Sequence, residues 1–87
     1  MEAKRIVGWN TRRVRVERGL TIEELADRAD LDASYMARIE RGTVNPSIEV
    51  IVKVARALRV RLTDLVMDIP SGASAPRPLR AGRRKSG

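Results

Sequence analysis

TIEELADRADLDASYMARIERG, residues 21–42, decides how the rest of the chain can fold. Thr21 and Glu24 have the spacing of a capping box, in which each side chain takes up a backbone N–H left free at a helix start. Leu25, Ala26 and Ala29 then recur at helical spacing and read as the buried face of a helix over Ile22–Ala29. Asp30 stands where the chain must turn, and Asp enters the left-handed region more readily than most residues that carry a side chain. Leu31 reads as a turn residue facing the core, and Asp32 as the N-cap of a second helix over Ala33–Arg41. That second helix has only Met36 and Ile39 to bury, and it ends at Gly42, which suits the positive φ of a C-terminal cap. So short a helix, with two core anchors, does not stand in isolation. Its outward residues (Ala33, Ser34, Tyr35, Ala37, Arg38 and Arg41) are small or polar. The low bulk of the N-terminal half lets it approach another surface closely.

Before this stretch, a helix is expected from about Lys4 to Arg18, with Val7, Thr11 and Val14 on its inner face and Gly19 as its C-terminal cap. Arg15 falls on the edge of that inward stripe, an unusual place for a charge. Trp9 and Val16 point to a different side, where the indole is either partly covered by the neighbouring chain or marks a partner surface. Downstream, Asn45 and Pro46 read as N-cap and first residue of a fourth helix that reaches Leu58. Ile48, Ile51, Val52, Ala55 and Leu58 make it the core helix. After a turn over Arg59–Arg61, a last helix from Leu62 to about Asp68 contributes Leu62 and Leu65, and Pro70 stops it. No segment alternates like a strand. The expected fold is all-α: a compact five-helix domain over residues 1–69, followed by a flexible basic tail over residues 70–87.

Composition narrows the chemistry. The chain has 87 residues, no cysteine and no histidine, so disulfides, thiolate or imidazole metal sites and the usual general base are all missing. With no glycine-rich phosphate loop either, no constellation can carry a reaction, and neither catalytic residues, metal nor cofactor is expected. No apolar run approaches the ~18 residues that span a bilayer, and the N-terminus lacks the apolar stretch of a signal peptide. A cytoplasmic protein with no membrane contact is the expectation. The net charge of +7 is uneven. Residues 1–69 hold thirteen basic and eleven acidic side chains, whereas residues 70–87 hold five basic ones and no acidic one. The tail, PSGASAPRPLRAGRRKSG, has almost nothing to bury and is expected to be disordered alone. Arg80, Arg83, Arg84 and Lys85 suit a nucleic-acid backbone, or else make a solubilising end.

G-L-T-x-E-E-L-A at Gly19–Ala26, L-D-x-S-Y-x-x-x-I-E-R-G at Leu31–Gly42, N-P-S at Asn45–Ser47 and A-x-A-L-x-V at Ala55–Val60 occur together, in order. They resemble the phage repressor and Cro family, the lambda-repressor-like or XRE helix-turn-helix class. The resemblance covers about residues 7–66, and within the class it leans toward small single-domain regulators such as restriction–modification controller proteins.

The resemblance implies a homodimer on double-stranded DNA, with two copies of the 33–41 helix in successive major grooves of an inverted repeat. The family's base-reading positions fall on Ala33, Ser34 and Arg38, with Ala37 beside them. Its phosphate-holding positions fall on Thr21, Ile22, Arg41, Thr43 and Asn45, and Tyr35 touches phosphate or packs on the turn. The family also pairs a first-helix arginine with a third-helix glutamate, here Arg15 and Glu40, which would account for the placement of Arg15. Three departures stand out. Ile22 occupies the place of a phosphate-touching glutamine, leaving backbone N–H groups to make that contact. Ala33 replaces a long polar reader and offers at most packing against a thymine methyl. Arg59 replaces a glycine and Arg61 a capping residue before the last helix. Arg38 is thus left as the strong side-chain reader, best suited to guanine. Glu23, Glu24 and Asp27 read as helix-start charge on a face turned away from DNA. Val60, Val66, Met67 and Ile69 either form the dimer interface or close the monomer core. A second reading remains: a protein-interaction module of antitoxin or antiactivator type, which sequesters another regulatory or toxin protein.

Overall fold

Residues 3–72 are described by the computed structural model, and they form five α-helices: α1 Ala3–Glu17, α2 Ile22–Ala29, α3 Ala33–Arg41, α4 Ile48–Leu58 and α5 Thr63–Val66. No strand occurs among these residues, so the fold is all-α. No helix among them is long and apolar enough to cross a membrane. Arg80, Arg83, Arg84 and Lys85 lie outside the described residues.

Local capping places α2 and α3 where expected. Thr21 Oγ1 accepts from the Glu24 N–H at 3.0 Å while Glu24 Oε1 accepts from the Thr21 N–H at 2.8 Å, so both halves of the capping box are made. Asp30 closes α2 at φ 57°, and Gly42 closes α3 at φ 74°. The two short helices are therefore bounded by hydrogen bonds between residues close in sequence.

Three helices, α1, α4 and α5, have limits that differ from the sequence expectation. α1 ends at Glu17, with Arg18 in the turn. α4 begins at Ile48, because Ser47 and not Asn45 is its N-cap: the Ser47 hydroxyl accepts from the Val50 N–H at 3.2 Å. Pro46 consequently lies outside the helix, buried in the preceding loop. The buried face also differs from the expected one. Ile51, Val54, Ala55 and Leu58 form the buried stripe, Val52 is half-buried, and Ile48 at the first helical position is 63% exposed. α5 has only four residues, since Met67 is already extended, at ψ 151°.

The reason for that early stop is a buried asparagine. Asn10 on α1 is fully enclosed, and its Nδ2 donates to Leu65 O at 3.3 Å and Met67 O at 2.8 Å. Arg13, one turn on, donates to Asp64 O at 3.4 Å and to Asn10 Oδ1 at 3.3 Å. Carbonyls that would otherwise end a helix unpaired are thus satisfied from α1, which ties α5 down. The start of α5 has no side-chain cap from Leu62; instead Asp64 Oδ2 accepts from the Arg61 N–H at 2.9 Å.

The core gathers Leu25, Met36, Ile39, Val54, Leu58 and Leu65, each almost wholly buried. α1 packs on α3, α4 and α5, and α2 packs on α3 and α4. Thr11 is enclosed on the inner face of α1 as expected, with no hydrogen-bond partner for its hydroxyl. Leu31 is half-buried against the core. Gly8 makes the α1–α3 packing possible, because a Cβ there would stand 2.5 Å from Ile39 O and 2.8 Å from Glu40 O.

Arg59 takes the C-terminal cap of α4 at φ 60°. Its neighbouring carbonyls are held by Arg18, whose guanidinium donates to Leu58 O at 3.0 Å and Arg59 O at 3.4 Å. A side chain at left-handed φ costs about 1–2 kcal/mol, partly offset by the greater freedom that glycine has in the unfolded chain. Arg59→Gly is therefore expected to raise the unfolding free energy by roughly 0.5–1 kcal/mol. Urea denaturation checks this, and a loss of stability would show that the Arg59 side chain contributes more than its backbone costs.

Candidate nucleic-acid interface

The start of α3 stands beside the start of α2, and between them lies an open depression. Ile22, Ala33, Ser34 and Ala37 border it, with Thr21 and Arg15 at its edges. All six stand out in the sequence, and the fold brings them to one concave surface. Glu23, expected to face away, lies on its rim as well.

Ser34 and Arg38 are exposed, one turn apart on α3. The Arg38 guanidinium lies 6.0 Å above the Tyr35 ring, at the edge of cation–π range. Tyr35 is half-buried, so its ring both packs on the domain and supports the arginine. Asp32 Oδ2 accepts from the Ser34 hydroxyl, from the Ser34 N–H at 3.0 Å and from the Tyr35 N–H at 3.3 Å. These bonds, the Ser34 hydroxyl foremost, hold the Asp32 carboxyl below its ordinary value, and the charge of Arg38 adds to them. Asp32 is thus a carboxylate at neutral pH.

At the other end of α3, Arg41, Thr43 and Asn45 are exposed. Thr43 also closes the helix, because its hydroxyl and its N–H both donate to Arg38 O at 3.1 Å. The α1 N-terminus passes alongside, with Arg5 Cα 3.4 Å from where a Gly42 Cβ would stand.

Behind the surface, Arg15 and Glu40 form a two-point ion pair. Arg15 Nε donates to Glu40 Oε2 at 2.6 Å, Nη2 donates to Oε1 at 3.0 Å, and Nη1 donates to Leu20 O at 2.8 Å. Their side chains are 7% and 4% exposed, so the pair is withdrawn from water. It connects α1 to the last turn of α3 and to the approach into α2.

The arrangement is two capped helices around a left-handed turn, the second presenting a small, partly cationic face. A family model described as helix-turn-helix matches residues 12–65. The chain belongs to the lambda-repressor-like helix-turn-helix family.

Relatives of this helix-turn-helix protein are regulators of transcription, not enzymes. An uncharacterized HTH-type transcriptional regulator of Sinorhizobium fredii, y4dJ, is 38% identical over 66 residues, covering 76% of this chain and 86% of the relative. The restriction–modification controller protein C.AhdI of Aeromonas hydrophila superposes with a TM-score of 0.69 at 37% identity, covering 71% of this chain and 94% of that one. The controller protein C.Esp1396I, solved as a tetramer in complex with its natural 35 base-pair operator, gives a TM-score of 0.68 at 25% identity, covering 78% of this chain and 99% of that one. Several other regulators are longer, and the chain spans 40–58% of their length.

The apolar residues near α5 divide. Val66 and Met67 are 41% and 48% exposed, whereas Val60 and Ile69 are half-buried and Val60 packs against the core. Trp9 is half-buried, with the Arg13 guanidinium 5.7 Å over its ring. Sequence reasoning missed Gly8, Asn10, Arg13 and Arg18, which place the helices of this helix-turn-helix protein. It also missed the grip of Asp32 on the Ser34 hydroxyl. The Asp-x-Ser spacing at a helix start was the available signal for that last contact.

Proposed function

We propose that this chain is a sequence-specific DNA-binding transcriptional regulator, acting in the cytoplasm as a homodimer that sets two copies of α3 into successive major grooves of an inverted repeat. The observation that carries the reading is the outward face of α3: Ser34 and Arg38 are exposed, and Ala33 and Ala37 are too small to hold a groove floor away. Ala33, Ser34, Ala37 and Arg38 are assigned to base edges. Thr21, Ile22, Tyr35, Arg41, Thr43 and Asn45 are assigned to the sugar-phosphate backbone, with Ile22 acting through main-chain N–H groups at the start of α2. A relative solved on its operator supports the mode of action.

Selecting bound duplexes from a random pool, followed by sequencing, tests the reading. The expected result is an enriched pseudo-palindrome with half-sites about one helical turn apart. A pool that enriches nothing, although the protein stays folded, counts against it. Arg38→Ala is expected to weaken the selected duplex by ~1–3 kcal/mol and relax one base position. Titrations against selected and random duplexes check this, and equal losses on both would assign Arg38 to phosphate instead.

The dimer contact is assigned to the region of α5, with Val66 and Met67 at its centre and Val60 and Ile69 at its margin. The same exposed pair favours a second reading, in which this surface holds another regulatory or toxin protein. Sedimentation at micromolar concentration separates them, since a monomer with retained DNA binding would support the second. The tail cations Arg80, Arg83, Arg84 and Lys85 are assigned to phosphates. Each such contact adds about 0.9 to the slope of log affinity against log salt. Removing residues 72–87 is expected to flatten that slope, and an unchanged slope would remove the tail from the interface.

A further inference from the structure

Ser34 is constrained in a way that determines which kind of base it can read, given the proposal that α3 enters the major groove. A serine hydroxyl has one proton to give and two lone pairs to offer, so serine alone reads donors and acceptors alike. Here the proton is engaged. The Ser34 hydroxyl donates to Asp32 Oδ2, and the same oxygen is fixed in place by the N–H groups of Ser34 at 3.0 Å and Tyr35 at 3.3 Å. A carboxylate can only accept, so between these two side chains the bond has one direction. Asp32 cannot turn aside without giving up the N-terminal cap of α3.

We propose that Asp32 makes Ser34 a hydrogen-bond acceptor toward DNA, so that Ser34 selects an exocyclic amine, adenine N6 or cytosine N4, over the keto oxygens of guanine and thymine. On the major-groove edge those two amines are the only donors. Of the side chains that share the depression with Ser34, Ile22, Ala33 and Ala37 carry no polar atoms, Arg15 is held by Glu40, Thr21 Oγ1 accepts from the Glu24 N–H, and the Glu23 carboxylate has no proton to give to the hydroxyl oxygen. An Asp32 carboxylate near phosphates would be unfavourable if bare. Its three hydrogen bonds and the nearby charge of Arg38 reduce that cost. Asp32 acts as a positioning residue, and Ser34 is the group that meets the base.

Every base pair presents one amine on its major-groove edge, so a sequence preference alone does not test this. The pair read by Ser34 is first located as the position whose preference relaxes when the full-length Ser34→Ala protein replaces wild type in the random-pool selection. Two modified duplexes are then titrated by fluorescence anisotropy. One lacks the amine at that pair (purine for adenine, or pyrimidin-2-one for cytosine), and the other lacks the partner's keto oxygen. Removing the amine is expected to weaken wild type roughly fivefold, the worth of one neutral hydrogen bond, beyond any loss that Ser34→Ala shows on the same duplex. Removing the keto oxygen is expected to weaken both proteins alike. Asp32→Gly retains most of the capping but frees the Ser34 proton, so the fivefold preference for the amine should shrink. Equal losses for wild type and Ser34→Ala on the amine-free duplex would overturn the proposal, as would a difference confined to the keto oxygen. So would an amine preference that survives Asp32→Gly in full, or a selection in which no position relaxes. In each of these results an enriched operator leaves the regulator reading intact, whereas a pool without any enriched sequence is the failure of that reading itself.

Discussion

Glu40→Ala is expected to lower the unfolding free energy by about 3–5 kcal/mol, because it leaves the Arg15 guanidinium buried without its counter-charge. The geometry explains the size. Both Glu40 oxygens are used, the pair has almost no contact with water, and the third Arg15 bond goes to a backbone carbonyl, Leu20 O. Arg15→Met should cost a similar amount, with Glu40 as the stranded charge. Lysine is no substitute, since one ammonium lacks the planar fork that meets two oxygens at once. The double variant Arg15→Met/Glu40→Met should lose much less than the sum of its single changes, as two matched apolar groups remove both desolvation penalties together. Urea denaturation of the four proteins measures the coupling. If the single variants each stay within about 1 kcal/mol of wild type, the value of an exposed pair, water reaches the site and the structural role falls. This pair anchors the last turn of α3, so the loss should also appear as weaker discrimination between selected and random duplexes.

Gly8→Ala is the second large effect. An alanine inside a helix ordinarily gains about 1 kcal/mol over glycine, yet the expected outcome is a net loss of about 2–3 kcal/mol. The new methyl would lie 2.5 Å from Ile39 O and 2.8 Å from Glu40 O, and both are backbone atoms that cannot rotate aside. α1 and α3 must separate, and α3 is the helix assigned to the groove. Circular dichroism during thermal melting checks the stability. Titration against selected and random duplexes checks whether specificity falls further than overall affinity. A variant as stable as wild type would mean that the two helices slide apart without cost.

The residues behind these two effects differ in how far the sequence shows them. Arg15 looks misplaced on the inner edge of a helix, and the family resemblance supplies Glu40 as its partner. Leu20 O as the third acceptor comes only with the fold. Gly8 gives no signal, since a glycine inside an apolar helical pattern looks like a weak point until another backbone is found against it. Asn45-Pro46 misleads for a related reason: it is a sound helix start locally, but Ser47 caps Val50 two residues later and the proline is buried in the loop. The apolar stripe read from the sequence also includes Ile48, which is exposed, and omits Val54, which is buried.

What the chain determines by itself is the pair of helices over residues 22–41 and their limits. Thr21 with Glu24, Asp30, Asp32 and Gly42 act on backbone groups within a few residues, so their effect survives any tertiary arrangement that leaves the motif at the surface. How that motif is held depends on the packing of distant segments. Asn10 and Arg13 end α5 from 51–57 residues away, Arg18 holds the end of α4 from 40–41 residues away, and Gly8 lets α3 lie against α1. A hydrogen bond at such separation forms only once both elements have docked, and the residue type alone does not say which carbonyl it will meet.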